Sequence, residues 1–105
     1  MGAEIEVRNA IAVAAAGAVL IGYVRAGAAH VGQLTAPLTI GGAAPRRLEV
    51  KAVERLTSME AGGAAVGLVF RNPPPLNDLR RALPPGTLLV LEDPAQNAAV
   101  EPGAR

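Results

Sequence analysis

The sequence has no cysteine and no tryptophan, and its 105 residues include only two aromatic side chains, Tyr23 and Phe70. Without cysteine the chain has no disulfide, no thiolate metal ligand and no cysteine nucleophile, and it suits a reducing, cytoplasmic compartment. Because large rings are scarce, the core must consist mainly of valine, leucine, isoleucine and alanine. A chain of this length is expected to form a single domain.

Side chains that carry catalysis are also scarce. Ser58 is the only serine and His30 the only histidine, and the two fall in different predicted turns. A serine–histidine–aspartate triad requires strict geometry, which nothing in this spacing favours. One histidine without cysteine cannot supply the usual nitrogen and sulfur ligands of a zinc site. We therefore predict a protein that is not an enzyme and that holds no metal or cofactor.

Membrane and nucleotide partners are not expected either. The apolar run over residues 10–24 is shorter than the span of about 20 residues that a membrane helix needs, and the residues before it are net acidic. No glycine is followed by the lysine and serine or threonine of a phosphate-binding loop, and no Gly-x-Gly-x-x-Gly opens a helix. The formal net charge of +1 gives no global attraction for nucleic acid, so any basic site must be local.

What is present favours β-structure. The stretches "EVRNAIAVA" and "VLIGYVR" contain β-branched residues without helix caps, and "AAVGLVFR" alternates apolar side chains towards one face. Further strands are predicted over residues 37–40, 46–56 and 87–93, with turn residues Gly41, Gly42 and Pro45 between the first two. Prolines on both sides limit residues 76–83 to a short helical turn.

These elements together predict an all-β fold, a small closed antiparallel barrel of about six strands. The domain is expected to cover residues 1–93, and the small polar residues 94–105 to form a disordered tail. The predicted core includes Leu20, Val24, Val50, Val66, Leu68 and Leu89. Gly22 is interpreted as a strand bend, and Gly27 and Gly32 as the turn into the next strand.

The stretch "GAVLIGYVRAGAAHVG", residues 17–32, resembles the hairpin of β-barrel domain 2 in translational GTPases such as elongation factor Tu. "VKAVERL" is similar to the central strand of that domain, "EAGGAAVGLVFR" to its next hairpin and "LPPGTLLV" to its closing strand. The residues that fall on the hairpin pattern are Gly17, Val19, Leu20, Gly22, Val24, Gly27, Val31 and Gly32. The resemblance covers residues 4–92 and includes no GTPase domain, so it implies no GTP hydrolysis.

The resemblance implies a binding module for RNA or the ribosome. Domain 2 helps to hold the acceptor end of aminoacyl-tRNA, partly through a Val-Glu pair that Val53 and Glu54 match. Nine of the ten basic residues are arginine, which suits bidentate phosphate contacts. The RNA-binding residues proposed from the sequence are Arg46, Arg47, Glu54, Arg55 and Arg71.

Two alternatives stay open at this stage. The arginines can be ordinary surface charges beside Glu49, Glu54 and Asp78, because no basic cluster exceeds two residues and the net charge is close to neutral. The chain can also be a structural or protein-interaction module with an unknown protein partner, since a fold by itself does not determine function.

Overall fold

A computed structural model describes residues 2–42, 44–56 and 64–93 of the chain. These residues form a six-stranded, wholly antiparallel sheet with one short helix. The elements in chain order are β1 (Ala3–Val13), β2 (Gly17–Gly27), β3 (Leu34–Thr35), β4 (Val50–Leu56), β5 (Ala64–Phe70), α1 (Leu76–Ala82) and β6 (Leu88–Glu92). The antiparallel β class predicted from the sequence is therefore confirmed, whereas the predicted tail, residues 94–105, lies outside the described residues.

The prediction of a closed barrel is wrong. The strand order is β3-β6-β1-β2-β5-β4, so β3 and β4 are the two edges of an open sheet. The edges approach each other over a few residues only: the Val50 amide donates to the Gln33 carbonyl (2.8 Å) and the Thr35 amide to the Leu48 carbonyl (2.9 Å). Beyond Val50 no described strand pairs with the outer edge of β4.

The sheet stays open because β3 is only two residues long. A strand predicted over residues 37–40 is absent, and that stretch makes a single bridge, between Leu38 and Arg46. Pro37 has no amide hydrogen and cannot donate to a strand ladder. The chain next turns at Gly41 and Gly42, both with positive φ. Regular pairing therefore cannot continue along β4, which itself begins at Val50 rather than at residue 46.

The core lies on the inner face of the curled sheet. β1 contributes Ile5 and Val7 to it, and α1 covers part of it with Leu79. Of the six predicted core residues, five are buried and Val24 is half-buried against them. The inward side chains of β5 are Val66, Leu68 and Phe70, which confirms the alternation seen in the sequence. A core this poor in aromatic rings depends on close packing of aliphatic side chains.

Candidate basic groove

Three of the predicted RNA-binding residues meet at one end of the sheet. Arg46 and Arg47 lie in the irregular segment between β3 and β4, and Arg71 directly follows β5. All three line the same cavity, which has a volume of about 270 Å³. The sequence separates Arg47 from Arg71 by 24 positions, so only the folded chain brings them together.

Backbone pairing explains this proximity. Phe70 pairs with Val50, and the Arg71 amide continues the ladder by donating to the Glu49 carbonyl at 2.9 Å. The chain then turns at Asn72, whose φ is +48°, a conformation that asparagine tolerates better than most residues. This turn presents the Asn72 carbonyl to Arg46, whose Nη2 donates to it at 2.8 Å. The Asn72 turn therefore holds Arg46 beside Arg71.

Two neighbouring cavities extend this site on either side. One, of about 330 Å³, shares Arg71 and Asn72 with the first cavity and adds Lys51. The other, also about 330 Å³, shares Arg46 and adds Asp78. We call the three cavities together the basic groove. Its charged lining residues are the cations Arg46, Arg47, Lys51 and Arg71 and the carboxylates Glu49 and Asp78. The groove thus has an excess of positive charge in a chain whose formal net charge is only +1.

Some of this positive charge is compensated within the protein. Arg71 Nε donates to Glu49 Oε2 at 3.2 Å, and Arg47 pairs with Glu92. Arg47 Nε also donates to the Thr35 carbonyl at 2.8 Å. Both ion pairs are exposed to solvent, where such pairs contribute about 0–1 kcal/mol and exchange readily. An incoming phosphate can therefore compete with Glu49 and Glu92 for these guanidinium groups.

Arg46 and Lys51 differ from the other two cations of the groove. Within residues 2–42, 44–56 and 64–93, neither forms an ion pair with a carboxylate. Among the described residues, the side chain of Arg46 is anchored by the neutral carbonyl of Asn72. These two side chains therefore carry the uncompensated charge of the groove. Lys51 was not among the predicted site residues, and it is the fold that brings it beside Arg71.

The other two predicted site residues lie elsewhere. Glu54 pairs with Gly67 on the outward face of β4 and β5, and Arg55 pairs with Val66 on the inward face. Arg55 lines a separate cleft near the other end of β4. Of the five predicted residues, three therefore line the groove, namely Arg46, Arg47 and Arg71. Glu54 and Arg55 lie apart from it on β4.

A buried polar cluster supports the segment that leads to the groove. Gln33 is 1% exposed, and its amide nitrogen donates to the Ala28 carbonyl (3.0 Å) and to Asp93 Oδ1 (2.8 Å). Its oxygen accepts from the His30 amide at 2.7 Å. Thr35 is fully buried, and its Oγ1 accepts from the Leu48 amide at 2.9 Å. No motif marks these residues in the sequence, because their partners are distant in the chain.

The buried polar cluster affects the ionisation of the Asp93 carboxyl. The hydrogen bond donated by Gln33 lowers the pKa of Asp93, because it stabilises the ionised form. A lowered pKa in the folded state means that the ionised carboxylate favours folding. Its contribution is present above the unfolded-state value of about 3.9 and is lost as the pH falls through the lower folded-state pKa.

Replacing Asp93 with asparagine is therefore expected to destabilise the protein at neutral pH and to have less effect in acid. At about pH 6 the wild-type carboxylate accepts a charge-assisted bond that the neutral amide cannot match, and the wild type loses that advantage as the pH falls through the lowered pKa of Asp93. Urea midpoints of both proteins across this range measure the difference. A difference that does not shrink in acid contradicts the role given to the Gln33–Asp93 hydrogen bond.

The described residues contain no group of three or more histidine, cysteine or acidic side chains placed to hold a metal ion. In the same part of the chain, no helix has the length and apolar character needed to cross a membrane. Ser58, the only serine, lies outside the residues that the structure describes.

Comparison with protein-family models finds no match for the chain, and comparison with curated protein sequences finds none either. The resemblance to domain 2 of the translational GTPases therefore stays a prediction.

Proposed function

We propose that this protein is a non-catalytic binding module that contacts the phosphate backbone of RNA through the basic groove. The observation that carries the proposal is the convergence of Arg46, Arg47, Arg71 and Lys51 on three adjoining cavities at one end of the sheet. Cations along a groove bind a polyanion by releasing its condensed counterions. Arginine adds geometric fit, because its planar fork matches two phosphate oxygens.

The strength of binding follows from the charges available. The groove is lined by four cationic and two carboxylate side chains. The only aromatic side chain among its lining residues is Phe70. Phe70 is buried in the core and cannot stack on a base. Stacking, which contributes about 1–3 kcal/mol per base in single-strand binders, is therefore absent from this site. We expect weak RNA binding with a steep salt dependence and little sequence preference.

The resemblance to domain 2 of the translational GTPases supports tRNA or ribosomal RNA as the ligand. Glu54 lies on the outward face of β4 and lines none of the three groove cavities. RNA binding in the groove therefore does not depend on the Val53–Glu54 pair. We accordingly propose backbone contact rather than recognition of an aminoacylated end. We also propose a cytoplasmic location, which the cysteine-free composition supports.

Titration of labelled tRNA at about 50 and 200 mM salt tests the proposal, because each neutralised phosphate contributes about 0.7–0.9 to the log–log slope. Four contacts give a slope of about 3 in magnitude. The double variant Arg46→Ala/Lys51→Ala removes the two groove cations that form no ion pair within the described residues. It is expected to weaken binding at low salt and to reduce the slope by about 1.5.

The matched control is Arg8→Ala/Arg25→Ala, which removes the same charge from the outward face of β1 and β2. Both guanidinium groups lie over the Tyr23 ring, at 5.7 and 5.4 Å from its centroid, and neither lines the groove. This control is expected to bind tRNA almost as the wild type does. The proposal fails if no binding occurs at low salt, or if the two double variants lose affinity equally.

A second candidate function is a protein-interaction module, and the outward face of the sheet favours it. Large apolar side chains on that face are exposed, among them Ile11 (38%), Val13 (41%) and Leu56 (37%). They surround smaller apolar residues of the paired strands β2 and β5, such as Val19 and Val69. Association through this face rests on apolar contact and is expected to tolerate salt, which separates it from RNA binding by the groove.

A further inference from the structure

A second concave site opens where the sheet fails to close. It lies between the loop that follows β2 and the inward face of β4, and its volume is about 180 Å³. We call it the Arg55 cleft. Its lining side chains include Val24, Ala29, His30, Val53, Arg55 and Val66. Apolar side chains thus form its floor, and two basic side chains stand at its margin.

The floor of the cleft is continuous with the core. Val66 is buried, and Val24, Val53 and Ala29 are half-buried and pack against the core. Three of these residues lie on strands, and strands hold side chains more precisely than loops do. The cleft therefore offers a preformed surface suited to a short, branched aliphatic group.

A β-bulge determines which side chain of β4 enters the cleft. Val50 pairs with Phe70 and Ala52 with Val69, which leaves Lys51 as an extra residue. Strict alternation from Val50 would direct Ala52 and Glu54 inwards. The bulge shifts the phase by one position, so Val53 and Arg55 face inwards instead. The cleft thereby receives a guanidinium rather than a carboxylate.

Arg55 has no ion-pair partner among the residues that the structure describes. On the opposite side of the cleft, the His30 amide is tied to the buried Gln33, which anchors the loop to Asp93. His30 and Arg55 therefore stand on two supported segments with an apolar floor between them.

We propose that the Arg55 cleft binds a carboxylate attached to a short branched aliphatic group. The alkyl group lies on Val24, Val53 and Val66, and the guanidinium of Arg55 holds the carboxylate through two parallel hydrogen bonds. His30 supplies a further donor from the facing loop. A volume of about 180 Å³ is small for a ligand site, which suits an acid of few atoms such as isovalerate.

Such a group has two possible sources, a free small acid or the C-terminal residue of a polypeptide. The second source gains support from the outer edge of β4, which no described strand pairs with beyond Val50. An extended peptide can pair with such an edge while its terminal carboxylate reaches Arg55. The chemistry at the cleft is the same in both cases, so one set of experiments tests both.

Titration of the ¹⁵N-labelled protein with isovalerate, followed by amide chemical shifts, is the direct test. We expect saturable shifts centred on Val24, His30 and Val53, with a dissociation constant on the order of 1 mM, as befits a ligand of few atoms. The neutral alcohol 3-methylbutan-1-ol is the matched probe without the charge and is expected to bind at least tenfold more weakly. Absence of saturable shifts at the cleft, or equal binding of the alcohol, overturns the proposal.

Variants of the cation sharpen the test. Arg55→Gln is expected to weaken isovalerate binding at least tenfold, and Arg55→Lys to restore part of the affinity. Arg55 is exposed, so both variants should keep the wild-type melting temperature, and Arg8→Gln on the outward face is the matched control. Unchanged affinity in Arg55→Gln overturns the proposal. The basic groove does not include Arg55, so tRNA binding should be unaffected, which separates this outcome from that of the RNA experiment.

A last pair of probes identifies the source of the carboxylate. A hexapeptide that ends in valine is titrated in two forms, with a free C-terminal carboxylate and with a C-terminal amide. Tighter binding of the free acid form than of isovalerate assigns the cleft to a polypeptide terminus, and weaker binding assigns it to a free small acid. Binding of the amide form as tight as that of the acid form contradicts the role of Arg55.

Discussion

Replacing Gly27 with alanine is expected to reduce the free energy of unfolding by about 3 kcal/mol, through backbone strain and steric overlap together. Gly27 ends β2 with a φ of +70°. A Cβ atom added there would lie 2.0 Å from the Gly2 carbonyl oxygen and 3.1 Å from Ala3 Cα. Both neighbours are backbone atoms, so no side-chain rotation relieves the contact. The melting temperature should fall by about 12–20 °C for a domain of this size.

Two other glycines separate the two causes. Gly86 has a φ of +94° but open space around its Cα, so Gly86→Ala introduces strain without overlap and should cost about 1 kcal/mol. At Gly67 the φ is ordinary and an added Cβ makes only van der Waals contacts, the shortest being 3.5 Å. Gly67→Ala should leave stability within about 0.5 kcal/mol of the wild type. If the Gly27→Ala and Gly86→Ala variants have the same melting temperature, β2 does not approach residue 2 closely.

Truncating Leu89 to alanine is expected to destabilise the protein by about 2–5 kcal/mol, because it leaves a cavity in the core. Leu89 is 2% exposed and pairs with Ile5, which is fully buried. The core has one phenylalanine and otherwise consists largely of aliphatic side chains, so few large neighbours can shift to fill the space.

The adjacent residue provides the matched control. Leu88 is 51% exposed on the outward face of β6, and Leu88→Ala should change stability by about 0.5 kcal/mol or less. Denaturant midpoints of the two variants measure the difference directly. Because neighbouring strand residues face opposite sides, a reversed order of effects would mean that β6 pairs one residue out of register.

Local features of the sequence were sufficient for most of the elements. The alternation of Val66, Leu68 and Phe70 predicted β5, and prolines on both sides predicted the short helix, observed at Leu76–Ala82. Gly32 has the positive φ expected of a turn. Gly27 also has positive φ, but it ends β2 rather than belonging to the turn. Such features depend on side-chain period and turn chemistry, which neighbouring residues specify.

The strand predicted over residues 37–40 failed for a tertiary reason. The segment has strand-forming residues, but Pro37 cannot donate a hydrogen bond, and the neighbours available to it offer one isolated bridge, between Leu38 and Arg46. The two-residue strand β3 forms the edge of the sheet instead, and it pairs with Leu91 and Glu92 of β6. Strand propensity depends on context, and here the pairing partner decided the outcome.

The sequence by itself determined an antiparallel β domain with an aliphatic core, because apolar alternation and glycine and proline turns act over a few neighbouring residues. Only the tertiary structure decided that the sheet stays open and that Arg46, Arg47 and Arg71 share one groove. It also separated Arg55 from that groove, through a one-residue bulge at Lys51 that changes which face each later residue of β4 presents. These outcomes depend on the register between strands distant in the chain, and a shift of one residue in that register exchanges the two faces of a strand.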